Sequence, residues 1–500
     1  MNIILFAFTV ISSIYLTTAG DPDTFPKHVH ISLNNDPQSM VISWTIFAPL
    51  SANVAAFVNF GKTFDTLTQK QQATYSSFKT KKTKRYIFKA VLTNLEYDTR
   101  YFYSVGSTEG ISQVFSFKTF PSGSDYPVKI CIFGDLGVVN GVSLSPLIAA
   151  GQRGDFDMII HLGDLAYDLR TDDGDVGDTF MESLQPLIAT KPYMVIAGNH
   201  EFEKDQISFE NYESRFFMPE DGDGHNQYYS VQVSSIQFLG ISSELYAYFT
   251  HFGTEPVEDQ HKFLEKKMQS VDRSVHPWVI AYHHRPIYCS GKKSDDCSDF
   301  ESGVLKDGFI GMPGLEKFYY DNSVDMVFTG HQHNYERYFP VYDRKVFKSS
   351  PNPYHNAKAT TYVISGNAGC HSSGAAFGKI SPFSAIQSQD YGYSILHVIN
   401  KTTLYMEQIS SDPKASASPV IDSLTLTKDP GFNFGSAEVN ENDYTYYPKT
   451  NFEVPPMITN SCYSRDLRCR QMLSGDKSKV TFKKYFVGDE QENEQNGSDL

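Results

Sequence analysis

The sequence lacks the features that mark several protein classes. It has six cysteines in 500 residues, too few for the disulfide framework that replaces a hydrophobic core in small secreted domains. After residue 20, no stretch reaches the ~18 consecutive apolar residues of a transmembrane helix, so no membrane partner is expected for the mature chain. Basic residues are also fewer than acidic residues. The 43 Lys and Arg against 58 Asp and Glu give a net charge of −15, which argues against a nucleic-acid partner.

Two common catalytic motifs are also missing. No Gly-x-Ser-x-Gly sequence occurs, which argues against a serine hydrolase. The glycine-containing stretch 374–379 has the wrong spacing for a phosphate-binding P-loop. The acidic stretch 172–175 fails the spacing of a calcium loop, and we interpret it and the basic run 79–85 as solvated turns.

The sequence does contain enough apolar material for large cores. Apolar residues make up 40% of the chain and aromatic residues 14%, as in a globular protein of two or three domains. Residues 3–16 form an uncharged apolar run followed by small residues, which predicts a signal peptide over residues 1–20, with a signal anchor as the alternative. The chain is therefore expected to be secreted or lysosomal. Its two sequons predict glycosylation at Asn400 and Asn496.

The rest of the chain changes its pattern twice. Short alternating strands separated by turns predict a β-sandwich over residues 21–120, with Trp44 in its core. Residues 95–97 resemble the tyrosine corner of such sandwiches. Apolar runs that alternate with helix-like stretches predict an α/β domain over residues 121–425. Residues 426–500 are expected to form an extension with an acidic, disordered tail.

Five apolar runs of the predicted α/β domain each end in potential metal ligands. They lead into Gly134-Asp135, into Gly163-Asp164 with Tyr167, into Gly198-Asn199-His200, into His283-His284, and into Gly330-His331 with His333. Ligands of α/β sheets bind at the carboxyl ends of the strands, so these clusters are expected to converge on one crevice. Two Asp, one Tyr, one Asn and three His give about seven donors, too many for one tetrahedral zinc ion. The set suits two cations of iron, manganese or zinc that share a carboxylate, a site fitted to in-line attack on phosphorus.

The order of these motifs resembles the metallophosphoesterase family. Tyr167 and the preceding sandwich make the chain similar to two-domain purple acid phosphatases, and the stretches 284–289 and 331–337 strengthen the resemblance. It implies an N-terminal, fibronectin III-like all-β sandwich followed by a metallophosphoesterase domain with layered β-sheets and flanking helices. It also implies a secreted acid phosphatase that hydrolyses phosphate monoesters by attack of a metal-bound hydroxide at a binuclear Fe(III)–M(II) site.

The resemblance also implies the role of each site residue. Seven side chains would be metal ligands: Asp135, Tyr167 and His333 for ferric iron; Asn199, His284 and His331 for a divalent zinc, iron or manganese ion; and Asp164 as the bridge. His284 is preferred to His283 because it directly precedes Arg-Pro. His200 would protonate the leaving group or contact phosphate, and Asn199 is also expected to contact substrate.

Some expectations follow from the loop after the fourth motif. Cys289 and Cys297 enclose seven residues, and we predict a disulfide between them that stabilises the loop by ~2–3 kcal/mol. The two-domain enzymes that the chain resembles often carry a substrate-contacting histidine in this loop, and residues 295–301 contain none. Two alternatives stay open beside the acid phosphatase: a binuclear phosphodiesterase, and an extracellular binding protein without turnover. The expected partners are small phosphorylated substrates, and no oligomeric state is predicted.

Overall fold

The computed structural model describes residues 21–290, 300–309, 311–369, 377, 380–411 and 419–448. The predicted signal peptide, Asn496, Cys297 and most of the C-terminal extension lie outside the described residues. Within these residues, no helix is both long and apolar enough to cross a membrane.

The first part of the chain forms two antiparallel sheets. Its strands are β1 Lys27–Ser32, β2 Met40–Ile46, β3 Phe57–Gly61, β4 Gln69–Gln72, β5 Thr74–Lys79, β6 Lys84–Leu92, β7 Arg100–Ser107, β8 Gly110–Ile111 and β9 Phe115–Lys118. One sheet has the order β1-β2-β6-β5, and the other has the order β4-β3-β7-β8 with β9 also paired to β7. Trp44 lies in the core, as predicted, and stacks on Phe88 at 5.3 Å between ring centroids.

The tyrosine corner lies at a different residue from the one predicted. The hydroxyl of Tyr101 accepts a hydrogen bond from the backbone N–H of Glu96 at 3.0 Å, which is the contact that defines such a corner. Tyr101 is buried, whereas Tyr97 is only partly buried. The prediction at residues 95–97 was therefore wrong, because strand alternation points Tyr101 inward.

The second part of the chain is a layered α/β structure. Its strands are β10 Val128–Phe133, β11 Met158–His161, β12 Tyr193–Val195, β13 Tyr229–Val233, β14 Ile236–Gly240, β15 Trp278–Tyr282, β16 Gly308–Phe309, β17 Met312–Pro313, β18 Met326–Thr329, β19 Tyr335–Tyr338, β20 Val341–Tyr342, β21 Lys345–Val346, β22 Thr361–Ser365, β23 Ser384–Ser388, β24 Gly392–Asn400, β25 Thr403–Ser410, β26 Val420–Thr427 and β27 Thr445–Tyr446. Its helices are α1 Leu144–Arg153, α2 Asp175–Ile188, α3 Glu210–Arg215, α4 Glu244–Ala247, α5 Phe249–Phe252, α6 Glu255–Ser270, α7 Phe300–Asp307 and α8 Leu315–Asp321.

Two large sheets make up the layers, which confirms the predicted fold class. One has the order β12-β11-β10-β24-β25-β26, and the other has the order β13-β14-β15-β18-β22-β19-β23. The ligand-bearing strands therefore come from two sheets rather than from one. Their carboxyl ends meet where the backbone N–H of Gly134, after β10, donates to the carbonyl of Ser365, at the end of β22, at 2.8 Å.

The two charged runs that were predicted to be solvated meet each other between the sandwich and the α/β part. Arg85 is fully buried, and the side chain of Asp173 accepts hydrogen bonds from the backbone N–H groups of Lys82 and Thr83. The prediction was wrong for these two residues. The carboxylate of Asp178, outside both runs, compensates the buried charge of Arg85, and backbone N–H groups of the basic run satisfy the side chain of Asp173.

Candidate metal centre

The structure brings the polar residues that follow β10, β11, β12, β15 and β18 into one cluster. Asp164, His284 and His331 offer ligand atoms that lie within 4.8 Å of one another, and Asp135, Asp164 and His333 form a second such group. Asp164 belongs to both groups. One carboxylate therefore faces two neighbouring positions, which is the arrangement that a bridging ligand requires.

The first position is lined by oxygen donors and one imidazole. The hydroxyl of Tyr167 donates to Oδ1 of Asp135 at 3.1 Å and lies 2.8 Å from Nε2 of His333. The same Oδ1 lies 3.4 Å from Nε2 of His333. Asp135 is fully buried, so it would bind a cation from the floor of the crevice rather than from its solvent-exposed rim.

The second position is lined by an amide oxygen and two imidazoles. Oδ1 of Asn199 lies 3.0 Å from Nε2 of His284 and 2.8 Å from Nδ1 of His331. Nδ1 of His284 lies 2.7 Å from the carbonyl of Leu162, to which it donates its proton. In the neutral ring, Nε2 of His284 is then an acceptor that faces the amide oxygen of Asn199, so a proton or a cation must lie between them. This donor set fits a cation.

The charge of the cluster favours cations. Asp164 is 1% exposed. Burial alone would raise the pKa of this carboxyl, but His284 and His200 lower it well below its usual range. Burial likewise would lower the pKa of His284, but the adjacent Asp164 carboxylate raises it to about 10. A buried ionised carboxylate such as that of Asp164 needs a positive partner. A metal ion would compete with the proton of His284 for the position beside this carboxylate.

The backbone of the cluster is strained. Four of the predicted ligands have left-handed φ values: Asp135 at 60°, Asp164 at 51°, Tyr167 at 50° and His331 at 67°. Such values are uncommon outside glycine and concentrate at functional sites. Gly198 permits the close approach of two loops, because a Cβ atom there would lie 2.3 Å from Oδ1 of Asp164.

The two adjacent histidines after β15 point in different directions. His284 lies in the cluster, whereas Nδ1 of His283 lies 2.8 Å from the carbonyl of Arg285 and its ring stacks at 6.1 Å on Tyr319. Successive side chains of an extended segment alternate between faces. His283 is therefore placed in the core behind the crevice, and its Nε2 has no hydrogen-bond partner among the described residues.

His200 lies at the rim of the cluster, where a substrate could reach it. Its side chain is 29% exposed, and its Nε2 lies 4.0 Å from Oδ2 of Asp164. Nδ1 lies 2.7 Å from Oδ1 of Asp168, and the ring packs at 4.4 Å against the ring of Tyr167. Burial lowers the pKa of His200, but the carboxylates of Asp164 and Asp168 outweigh burial and raise it above its ordinary value. The protonated imidazole is thereby favoured.

Two supporting carboxylates were not predicted from the sequence. Asp168 fixes the ring of His200 through the contact at Nδ1. Glu201 is buried and accepts hydrogen bonds from the backbone N–H groups of Asp164, Leu165 and Gly198. The sequence contained one indication of their role: each acid directly follows a predicted site residue.

The other predicted sites are described in part. Asn400 is exposed at the end of β24, and its Oδ1 accepts a hydrogen bond from the hydroxyl of Thr402 at 3.0 Å. Cys289 is buried, but its predicted partner Cys297 lies outside the described residues, as does Asn496. These sites stay predictions.

Comparison with known proteins identifies the class. Residues 26–119 match the family described as "Purple acid Phosphatase, N-terminal domain", residues 128–335 match "Calcineurin-like phosphoesterase", and residues 359–423 match "Iron/zinc purple acid phosphatase-like protein C". Fold and site together define a metallophosphoesterase, a class that hydrolyses phosphoesters.

The relatives narrow the class. The chain is 37% identical over 415 residues to "Acid phosphatase type 7" of Danio rerio, covering 81% of this chain and 92% of the relative. It is 33% identical over 423 residues to "Probable purple acid phosphatase 20" of Arabidopsis thaliana, covering 83% and 90%. A purple acid phosphatase from yellow lupin seeds shares the fold with a TM-score of 0.70 at 24% identity, covering 86% of this chain and 78% of that one. The chain belongs to the purple acid phosphatase family, which implies a binuclear metal centre.

Proposed function

We propose that the chain is a secreted acid phosphatase that hydrolyses phosphate monoesters at a binuclear Fe(III)–M(II) centre. The observation that carries this proposal is the shared position of Asp164 between two groups of ligand atoms. The phenol of Tyr167 beside the carboxylate of Asp135 supports a hard trivalent ion at the first position, because hard ions prefer anionic oxygen. The names of the acid phosphatase relatives support the monoester substrate.

Each cation has its own set of ligands in this proposal. Asp135, Tyr167 and His333 would hold ferric iron, Asn199, His284 and His331 would hold the divalent zinc, iron or manganese ion, and Asp164 would belong to both sets. When bound, the two cations supply Lewis acidity that lowers the pKa of water and neutralises charge on phosphoryl oxygens.

The protein supplies the proton for the leaving group. An alkoxide that leaves phosphorus needs a proton, and the partly exposed ring of His200 can deliver one. Asp168, bonded to Nδ1, orients the ring and stabilises its positive charge. The amide of Asn199, whose Oδ1 lies beside His284 and His331, is expected to contact the phosphate as well as the metal.

The location of the enzyme rests on the predicted signal peptide. Export would place the exposed Asn400 sequon in a compartment where it can be glycosylated. The mature enzyme would act there on small phosphorylated molecules.

Elemental analysis combined with a substrate comparison tests the proposal. Protein purified from a secretory host should contain two metal ions per chain, at least one of them iron, and should show a visible phenolate-to-iron band. At pH 5 it should hydrolyse an aryl phosphate monoester faster than the matching diester. A single zinc ion without iron would contradict the metal assignment, and faster diester cleavage would favour the phosphodiesterase. Two ions without turnover of either ester would favour the binding protein.

A further inference from the structure

A buried arginine of the sandwich is bonded to the first helix after the metal-ligand segment. Arg85 is 0% exposed. Its Nε donates to both carboxylate oxygens of Asp178 at 2.8 and 3.0 Å, and its Nη2 donates to Oδ2 at 2.6 Å. Arg215, also buried, donates to Oδ1 of Asp178 at 2.8 Å. Such forked contacts restrict geometry as well as supplying energy, so the sandwich and α2 are held in one relative position here.

The same arginine holds the turn that precedes α2. Residues Asp172, Asp173 and Gly174 have consecutive left-handed φ values of 52°, 63° and 87°. Nη2 of Arg85 donates to the carbonyl of Asp173 at 2.9 Å, and the hydroxyl and backbone N–H of Thr83 each donate to Oδ2 of Asp173 at 2.8 Å. A backbone of this kind persists only where its surroundings impose it. Here the sandwich supplies most of those surroundings, and Arg215 adds a bond from its Nη2 to the carbonyl of Gly174 at 3.2 Å.

The turn is continuous with the candidate site. The backbone N–H of Gly174 donates to the carbonyl of Arg170 at 3.0 Å, and that of Thr171 donates to the carbonyl of Asp168 at 3.1 Å. The side chain of Asp168 then contacts Nδ1 of His200 at 2.7 Å. Each step from Arg85 to His200 is therefore a hydrogen bond or a short covalent segment.

We propose that Arg85 and Thr83 are positioning residues for phosphoester hydrolysis, so that the N-terminal sandwich fixes the segment 164–174 and, through Asp168, the ring of His200. Neither residue touches a predicted metal ligand through any contact described above. The inference rests on the proposed function, because it assigns the orientation of the proton donor to another part of the chain. It gives the sandwich a role in turnover rather than in stability alone.

The expected effect falls on the rate constant rather than on substrate binding. A small displacement of a reacting group by a remote substitution can cost up to about 10²-fold in rate. Since the displaced group is the proton donor, the loss should be larger for an alkyl phosphate than for an activated aryl phosphate, whose leaving group departs without a proton.

Two pairs of variants test the proposal in the full-length, metal-loaded protein. Arg85→Lys keeps the positive charge but loses the paired hydrogen bonds of the guanidinium group to Asp178. Thr83→Val keeps the shape of the side chain but loses its hydroxyl. The matched controls are Thr83→Ser, which retains the hydroxyl, and Tyr103→Phe. Tyr103 donates its hydroxyl to the carbonyl of Ala189 at 2.7 Å, so the second control removes a contact of the same interface at the far end of α2.

We expect Arg85→Lys to lower kcat for the alkyl phosphate about tenfold or more and Thr83→Val about threefold, with smaller losses on the aryl phosphate and little change in KM. Amide hydrogen exchange of residues 168–174 should accelerate in both variants. Thr83→Ser and Tyr103→Phe should match the wild type in both measurements.

Two results would overturn the inference. One is an equal loss on both phosphates with unchanged exchange at 168–174. The other is a Tyr103→Phe variant that loses as much as Arg85→Lys, which would reduce the role to general stability. If the wild type hydrolyses neither phosphate, the proposed function fails, and the exchange measurement alone still decides whether the sandwich fixes this segment. If Arg85→Lys does not fold, the Thr83 pair decides.

Discussion

The carboxylate of Glu201 accepts a hydrogen bond from the backbone N–H of Asp164 at 2.8 Å, although 37 positions separate the two residues. The same carboxylate also accepts from Leu165 at 2.9 Å and from Gly198 at 2.8 Å. One buried side chain therefore joins the loop that carries the predicted bridging ligand to the loop that carries Asn199. The distance between the two loops, and with it the size of the metal centre, depends on this carboxylate.

Replacing this carboxylate by an amide should loosen the metal centre. In Glu201→Gln, the NH₂ group would face backbone N–H donors, and at least one buried N–H would lose its acceptor, at a cost of about 1–3 kcal/mol. We expect metal affinity to fall by about 10- to 100-fold, measured by elemental analysis after dialysis against a chelator. Glu203→Gln is the matched control, because Glu203 is an equally buried acid that bonds Asn211 instead of a ligand loop. Equal metal retention in both variants would contradict the role of Glu201.

Tyr167 should be the source of visible absorption. Its hydroxyl lies between Asp135 and His333, so we expect Tyr167→Phe to lose the visible band. Much of the activity should remain, because in the proposed site the phenol would tune the iron and would not attack the substrate. An absorption spectrum of the purified variant checks this, and a band of undiminished intensity would remove Tyr167 from the ligand set.

The histidine pair after β15 offers a built-in control. His284→Ala should abolish occupancy of the divalent position, because its Nε2 faces Asn199 and lies 3.2 Å from Nδ1 of His331. His283→Ala should retain both metals and lose only stability, since it removes a buried ring. Metal content per folded chain distinguishes the two. The reverse result would mean that the other histidine is the ligand.

His200 should matter most for poor leaving groups. Removing a proton donor costs about 10²–10⁴-fold in rate, so His200→Ala should lose more activity on an alkyl phosphate than on an activated aryl phosphate. The basic limb of its pH–rate profile should flatten, because the imidazolium would no longer lose its proton there. The exposed His225 provides the control substitution. Equal losses on both substrates, with an unchanged profile, would leave His200 a structural or binding residue.

The interface between sandwich and α/β part should weaken in acid. Burial, with a contribution from the positive charge of Arg215, lowers the pKa of His28 to about 3, whereas an unfolded histidine has a pKa of about 6.5. The stability that depends on neutral His28 is therefore complete above pH 6.5 and is lost as the pH falls toward 3. This amounts to about 2 kcal/mol between pH 7 and pH 5.

Urea denaturation of a His28 variant checks whether neutral His28 makes the protein more stable at pH 7 than at pH 5. His28 has a left-handed φ of 57°, which asparagine tolerates, so His28→Asn is the suitable substitution. The difference in unfolding free energy between pH 7 and pH 5 should shrink by about 2 kcal/mol. An unchanged difference would mean that His28 becomes protonated in the folded protein.

The parts of the fold that depend on continuous apolar runs could be predicted from the sequence. The runs at 278–282 and 326–329 coincide with β15 and β18, because a strand buried on both faces consists largely of consecutive apolar residues. The strand Gln69–Gln72 could not be predicted, since it is polar and fully exposed and forms only because β3 offers it a partner.

The site divides in the same way. Residues such as Asp135 and His331 could be predicted as ligands because each follows an apolar run, and ligands of α/β sheets bind at the carboxyl ends of strands. Residues such as Glu201 and Arg85 do not, because their roles arise from backbone groups or side chains that are distant in sequence. The pattern of apolar residues predicts only the local secondary structure, whereas the contacts of Glu201 and Arg85 exist only after the chain has folded.

The pairing of β10 constrains when the enzyme can become active during its synthesis. The strand that carries Asp135 lies in its sheet between β11 and β24, and Ile130 pairs with Leu396. A nascent chain that has emerged as far as His333 already holds every predicted ligand but lacks this neighbour of β10. The centre is thus expected to assemble only after translation has passed β24, and chains truncated before that strand should emerge without a working centre.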